Sequence, residues 1–244
     1  MTALFENQLA LVTGAGRGIG RACAEALADG GARVIAIART ASDLAQVARH
    51  SSGRIETWQA DVTDPALHQR IAALDGLSLV VNNAGGNKPQ PFESVDDDAL
   101  HEIVDLNIIA VFKVARAAVQ SMLRCDVAGS IVNMSSQMAH VGARDRSVYC
   151  MTKHAVEGLS KACAVELASS RIRVNTVAPT FVETPLTKSM LEQPEFRAFV
   201  LNMIPSGRLA TVEDIANAVT YLLSDRAGMV TGHSLVVDGG WTAH

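Results

Sequence analysis

The stretch Thr13-Gly14-Ala15-Gly16-Arg17-Gly18-Ile19-Gly20 decides how this chain folds. It follows the apolar run 9–13 directly and leads into an Ala/Leu-rich segment of helical period over 19–29, so it sits at a strand–turn–helix junction. Glycine lets a backbone turn tightly and lets another group approach it closely. A helix that starts there presents unpaired N–H groups and the positive end of its dipole. Those are the requirements of a pyrophosphate cradle, and their position at the first strand–helix turn predicts a dinucleotide site. Glycine strings outside that context are ordinary tight turns.

Outward from this junction, β-branched runs alternate with helical segments to the end of the chain. Strands are predicted near 9–13, 33–38, 55–59, 77–82, 130–134, 173–178 and 235–237. Helices are predicted over 19–29, in a long segment ending near 123, over about 148–168 and over 212–224. This alternation is the mark of repeated βαβ units on a parallel sheet. No Pro/Gly/Ser-rich linker and no internal repeat divides the chain. The expectation is one α/β domain over 1–244, a doubly wound Rossmann-type fold with a seven-stranded parallel sheet and helices on both faces. The longest stretch without a strand, 178–211, holds Pro179, Pro185, Pro194 and Pro205, and 179–211 reads as a substrate lid.

Composition agrees with this architecture and narrows the partners. Apolar residues make up 48% and aromatics only 4%, so the core is built from Ala, Val, Leu and Ile, as in helix-covered parallel sheets. A net charge of −4 without a basic run argues against nucleic acid or an anionic membrane as partner. Residues 1–8 lack a cationic segment followed by an apolar one, and no later apolar run nears the roughly 20 residues of a membrane span. A cytoplasmic protein acting on a small molecule is expected. Cys23, Cys125, Cys150 and Cys163 show no C-x-x-C spacing and read as buried free thiols. The seven histidines form no H-x-x-x-H pair, and His154 with Glu157 lacks further ligands, so no catalytic metal is predicted.

Two further clusters carry chemistry. The second strand ends in Ala38-Arg39, with no carboxylate to hydrogen-bond an adenosine ribose or to repel a 2′-phosphate. Arg39 is placed to pair with that phosphate, which favours NADP(H) over NAD(H); the plainer reading is a solvated Arg at the strand end, or one stacked on adenine. Tyr149 and Lys153 are four apart at a helix start and share one face. An ammonium beside a phenol favours phenolate, so Tyr149 can exchange a proton with a substrate oxygen that Ser136 holds.

Residues 13–20, Asn82-Asn83-Ala84-Gly85, Asn107, Ser136 and Tyr149-x-x-x-Lys153 together resemble the short-chain dehydrogenase/reductase family in order and spacing. The resemblance runs to Pro179 and Asp238-Gly239-Gly240, essentially the whole chain. It implies hydride transfer between NAD(P)(H) and a secondary alcohol or ketone, with Asn107, Ser136, Tyr149 and Lys153 as a catalytic tetrad. Asn107 would carry a water linking Lys153 to solvent. Gly14, Arg17, Gly18, Ile19 and Gly20 would hold the pyrophosphate end. Arg39, Asp61, Val62, Asn83, Ala84 and Gly85 would surround the adenosine, and Tyr149, Lys153, Pro179, Val182 and Thr184 the nicotinamide riboside. One departure is Thr180, where the family usually has Gly after the Pro. Family members are commonly homotetramers; the apolar run Val104, Ile108, Val111 and Ala115 would suit such an interface or, equally, burial against the sheet.

Within the family, Ala38-Arg39-Thr40, Ser136-Gln137, Ser147-Val148-Tyr149-Cys150 and Leu223-Ser224-Asp225-Arg226 look similar to xylulose reductases and bacterial sugar and sugar-acid dehydrogenases. A sugar, polyol or sugar acid, such as a 2-keto-3-deoxy sugar acid, is the implied substrate. Gln137, His140, Arg144 and Arg146 make the loop before Tyr149 unusually polar, and the two arginines could clamp a carboxylate. Alternatively both are solvated or pair with Asp145. A 3-oxoacyl-[acyl-carrier-protein] reductase would share the framework but present basic side chains to an acidic carrier. A non-catalytic NADP-sensing module would show a broken tetrad.

Overall fold

Strand β1 (Leu9–Thr13) is buried on both faces: Ala10 and Val12 point into one apolar layer, Leu11 into the other. The computed structural model describes residues 4–50, 53–185 and 187–243, so residues 1–3 of the N-terminal segment lie outside the described residues. After β1 come α1 (Gly18–Asp29), β2 (Arg33–Ala38), α2 (Ala41–His50), β3 (Ile55–Gln59), α3 (Pro65–Ala72) and β4 (Leu77–Asn82). The second half continues with α4 (Asp97–Val104), α5 (Ala110–Arg124), β5 (Gly129–Met134), α6 (Ser147–Leu167) and β6 (Ile172–Pro179). It ends with α7 (Lys188–Leu191), α8 (Pro194–Asn202), α9 (Val212–Leu223) and β7 (Ser234–Val237).

All strand pairs are parallel, in the order β3-β2-β1-β4-β5-β6-β7. This is the expected doubly wound sheet, each strand found within two residues of its predicted place. Strand order reverses between β1 and β4, whose carboxyl ends lie side by side with Val12 opposite Val81. Ligands of such sheets bind at that switch point. Helices α1 and α9 seal one face through Leu27, Val219 and Leu222; α3 and α5 seal the other through Ile71, Val114 and Met122. Each such side chain contributes roughly 1.5–3 kcal/mol on burial, so Leu222→Ala would cost about 2–5 kcal/mol through the cavity it leaves.

Between α4 and α5 the chain makes a π-turn, Asp105–Ile109. The extra residue in that turn rotates every later side chain relative to a continuous α-helix. The run predicted as one face is therefore split. Val111 and Ala115 are buried, Val104 and Ile108 are half-buried, and the apolar side chains left exposed are Ile109 (40%) and Phe112 (45%). Val111 and Ala115 are thus already buried within this chain.

The segment after β6 holds α7, α8 and a single bridge from Val182 to Ala210; Leu186 within it lies outside the described residues. Leu191, Val200 and Ile204 form a small core of their own, joined by Phe181, Phe196 and Trp241. All four cysteines are free, but only Cys23 is buried, its thiol pushed up to about 12 by burial; Cys125, Cys150 and Cys163 are half-exposed. Among the described residues no helix is long and apolar enough to cross a membrane, and no three His, Cys, Asp or Glu side chains are grouped as metal ligands.

Candidate active site

The turn after β1 is shaped by glycine where nothing else fits. Gly14 and Gly18 adopt φ of +63° and +56°. A Cβ on Gly14 would lie 2.8 Å from Asn83 Nδ2, and one on Gly20 would collide with the Gly14 carbonyl oxygen and the Asn83 amide. Asn83 is itself fixed: its backbone N–H donates to Thr13 Oγ1 at 3.0 Å and its side chain donates to the Thr13 carbonyl at 3.0 Å. No side chain caps the N-terminus of α1, so its first N–H groups are free for an anion.

A cleft of about 490 Å³ opens above this turn. Gly14, Arg17, Gly18, Ile19, Arg39, Asp61, Val62, Asn83, Ala84, Gly85 and Thr184 all line it, as expected of a dinucleotide site. Gly20 acts from behind, setting the spacing between turn and strand. Pro179 ends β6, and Val182 is buried against Ala210, so neither faces this cleft. At the adenosine end, Arg39 lies 3.7 Å from Asp61 and Arg17 lies 3.9 Å from Asp43. Partial burial pushes the Asp61 carboxyl up, but the Thr63 hydrogen bonds and then the Arg39 charge hold it below the usual carboxylate range. Asp43 was not among the residues the sequence singled out, because it joins the cleft from the next helix.

Beside this cleft is a pocket of about 290 Å³ lined by Ser136, Gln137, Arg146, Tyr149, Thr180 and Phe181 among others, and Asn87 lines both. Tyr149 and Ser136 are thus the members of the expected tetrad that face a ligand. Lys153 and Asn107 stand buried behind them. Lys153 Nζ donates to the Met134 carbonyl at 2.8 Å and lies 5.5 Å from the Tyr149 ring centre. Burial lowers its pKa to about 8, against the pull of Glu157. Asn107 sits in the π-turn and clasps Gly86, accepting from its N–H and donating to its carbonyl, both at 2.9 Å, and it reaches Thr152 Oγ1 at 3.1 Å.

The groups that act most on the Tyr149 phenol do not include Lys153. Burial is the largest influence and pushes the phenol up; the groups that lower it are the Ser136 hydrogen bond and the Arg146 charge.

Of the polar loop, Gln137 and Arg146 reach the pocket and His140 and Arg144 do not. His140 turns toward Ser234 Oγ at 3.0 Å. Arg144 is 95% exposed, with Asp145 3.9 Å away. Asp145, between the two arginines, has φ of +58°, and this left-handed residue throws their side chains apart. A two-arginine clamp is therefore not formed. Arg146 donates to the Asp145 carbonyl at 3.1 Å and to Met190 Sδ at 3.5 Å. The residues that sequence reasoning missed here include Asn87, Pro89, Met138, Thr187, Ser189 and Met190; Thr180 reads as a departure within a segment covering the nicotinamide, not as part of this pocket. Buried Asn87 Oδ1, Gln137 Oε1 and Thr180 Oγ1 all lack a hydrogen-bond partner among the described residues.

A family model described as enoyl-(acyl carrier protein) reductase matches residues 14–242. The chain belongs to the short-chain dehydrogenase/reductase family. D-erythrulose reductase of Gallus gallus is 44% identical, over 97% of this chain and 96% of that protein. L-xylulose reductase of Homo sapiens is 40% identical over the full length of both. A crystal structure from Beutenbergia cavernae, named as an NAD(P)-dependent gluconate 5-dehydrogenase with NADP bound at low occupancy, superposes with a TM-score of 0.94 at 35% identity, covering 100% of each chain. As a member of this family the chain is an NAD(P)-dependent dehydrogenase/reductase, and the cleft fits the cofactor: backbone donors at α1, glycines where a Cβ would collide, and two arginines at the adenosine end.

Proposed function

We propose that this short-chain dehydrogenase/reductase interconverts a ketone and a secondary alcohol on a sugar, polyol or sugar acid, with NADP(H) preferred and Tyr149 as the acid/base. The observation that carries the reading is the shared wall at Asn87: the pocket holding Tyr149 and Ser136 opens beside the glycine-lined cleft. The cofactor, when bound, supplies or accepts the hydride. Tyr149 as phenol gives its proton to the carbonyl oxygen in reduction, and as phenolate takes the alcohol proton in oxidation. Ser136 holds that oxygen, its own hydroxyl oriented by the Met138 N–H at 3.1 Å. Lys153 and Asn107 keep a charge and a hydrogen-bonded link behind the phenol. Thr184 bounds the nicotinamide end, with Pro179 and Val182 in the segment behind it, and residues 179–211 act as a lid.

Three features support a hydroxylated substrate. The relatives' names denote hydroxylated carbon chains. The pocket offers unpartnered amide and hydroxyl oxygens to substrate O–H groups. Its one cation, Arg146, suits a carboxylate or hydroxyl beyond them. Arg39 and Arg17 at the adenosine end support NADP(H), since a 2′-phosphate needs such partners. Exposed Ile109, Phe112, Met151 and Val165 on and beside α5 and α6 support a homotetramer, and a cytoplasmic location accords with this reading. An acyl thioester substrate is the second reading, favoured by the matching model's description. Steady-state kinetics with ketoses, polyols, sugar acids and an acyl-carrier thioester, each with NADP(H) and NAD(H), test both. Higher kcat/KM for the thioester than for every hydroxylated compound overturns the proposed substrate class.

A further inference from the structure

Glu157 is a buried carboxylate one turn beyond Lys153 on α6, and the mechanism above gives it no part. Its oxygens accept from Thr176 Oγ1 at 2.9 Å and from Ser234 Oγ at 3.0 Å. A carboxylate only accepts, so the Ser234 hydrogen points at Glu157 and the Ser234 oxygen is left to accept from His140 Nε2–H, 3.0 Å away. His140 is 32% exposed at its side chain and lies 3.9 Å from the Glu157 carboxylate. A chain of polar contacts therefore runs from the surface through His140 and Ser234 to Glu157, directly behind Lys153.

Hydroxyl donors satisfy the lone pairs of Glu157 but leave its charge unmatched, and an unmatched buried charge is costly. Two basic side chains lie near it: Lys153, four residues earlier on its own helix and bonded to Met134 in the strand beside Thr176, and His140, from the turn after β5; β6 and β7 contribute only the neutral Thr176 and Ser234 among the described residues. Around Lys153, the π-turn presents uncharged Asn107 while Asp105 is exposed, and Tyr149 with Arg146 lies on the pocket side. Among the described residues Lys153 in turn has one hydrogen bond to protein, to the Met134 carbonyl, and Glu157 is the anion that acts on it.

We propose that Glu157 is a positioning residue for catalysis: it is the counter-charge that keeps the Lys153 ammonium charged behind Tyr149, and His140 couples that counter-charge to the surface. This rests on the reading that Lys153 serves Tyr149, but its test needs no substrate. Loss of Glu157 would let burial of Lys153 act unopposed, so its ammonium would release its proton at lower pH. The tetrad would then pass into its uncharged state nearer to neutrality.

The chain has five lysines, Lys88, Lys113, Lys153, Lys161 and Lys188, so 13Cε-lysine NMR resolves each titration, with Lys153→Arg assigning the signal. Glu157→Gln keeps the shape and removes the charge; the Lys153 midpoint should fall by about one pH unit. Glu157→Asp, which keeps the charge, should restore most of it. His140→Lys places a permanent cation beside Glu157 at a partly exposed position, and should lower the midpoint by a smaller amount without disturbing the core. The alkaline limb of kcat/KM for ketone reduction should move in the same direction as the NMR midpoint. A Lys153 midpoint unchanged within about 0.2 unit in both Glu157→Gln and His140→Lys overturns the inference, whatever substrate the enzyme proves to use; if Glu157→Gln does not fold, His140→Lys decides alone.

Discussion

The two halves of the active site are built by different means. Around the dinucleotide cleft the backbone does the work: Gly14, Gly18 and Gly20 set the turn, Asn83 is bolted to Thr13 by two hydrogen bonds, and α1 leaves its N–H groups free. Around the substrate pocket side chains do it, from segments that meet only in the fold: Asn87, Gln137, Arg146, Thr180 and Met190. A backbone site tolerates almost no change and serves one ligand class. A side-chain site can be retuned residue by residue, which is where relatives on one scaffold can part in substrate.

That contrast can be broken by paired substitutions. Gly20→Ala drives a Cβ into the Gly14 carbonyl and should weaken NADPH binding on the order of a hundredfold, read by fluorescence titration. Gly142→Ala, in the substrate half with nothing within 4 Å of its Cβ position, should leave both binding and stability near wild type. Comparable losses in the two would show that the glycine turn is not special. Next in size, Arg146→Met should raise the KM for a sugar acid about tenfold, the worth of one charge-assisted hydrogen bond. Arg144→Met, on a side chain that never reaches the pocket, should not change it. Equal effects would mean that the loop closes into a clamp when substrate arrives. Smallest is Arg39→Ala: an exposed charge contributes about 0.2–1 kcal/mol, so the Kd for NADPH should rise severalfold and that for NADH remain unchanged. A wild type strictly dependent on NAD(H) would remove the role assigned to Arg39.

What could be read from the sequence follows the same division. Inner strands such as β1, β4 and β5 are buried on both faces and read as continuous apolar runs, while the edge strands β3 and β7 stood out by their place in the strand–helix alternation. The glycine turn was equally plain, since backbone conformation limits residue choice directly. The π-turn at Asp105–Ile109 left no such trace: one extra residue in a helix has no composition of its own, and it moved the exposed face from Val111 and Ala115 to Ile109 and Phe112. Arg144 and Arg146 looked like a pair because spacing was all there was to read, and the left-handed Asp145 between them separated their side chains. The upward push that burial gives the Tyr149 phenol is not conveyed by the spacing between Tyr149 and Lys153.

Both halves converge on one oxygen, and the account stands on the claim that Tyr149 exchanges its proton with the substrate there. The direct measurement is single-turnover oxidation of bound NADPH by a ketose, followed at the nicotinamide absorbance, in wild type and in Tyr149→Phe. The ring stays and the phenol leaves, so the rate should fall by about 10²–10⁴, while the Kd for NADPH stays within about twofold because the backbone cleft is untouched. A Tyr149→Phe protein that binds NADPH normally and turns over at the wild-type rate would contradict the account at its centre.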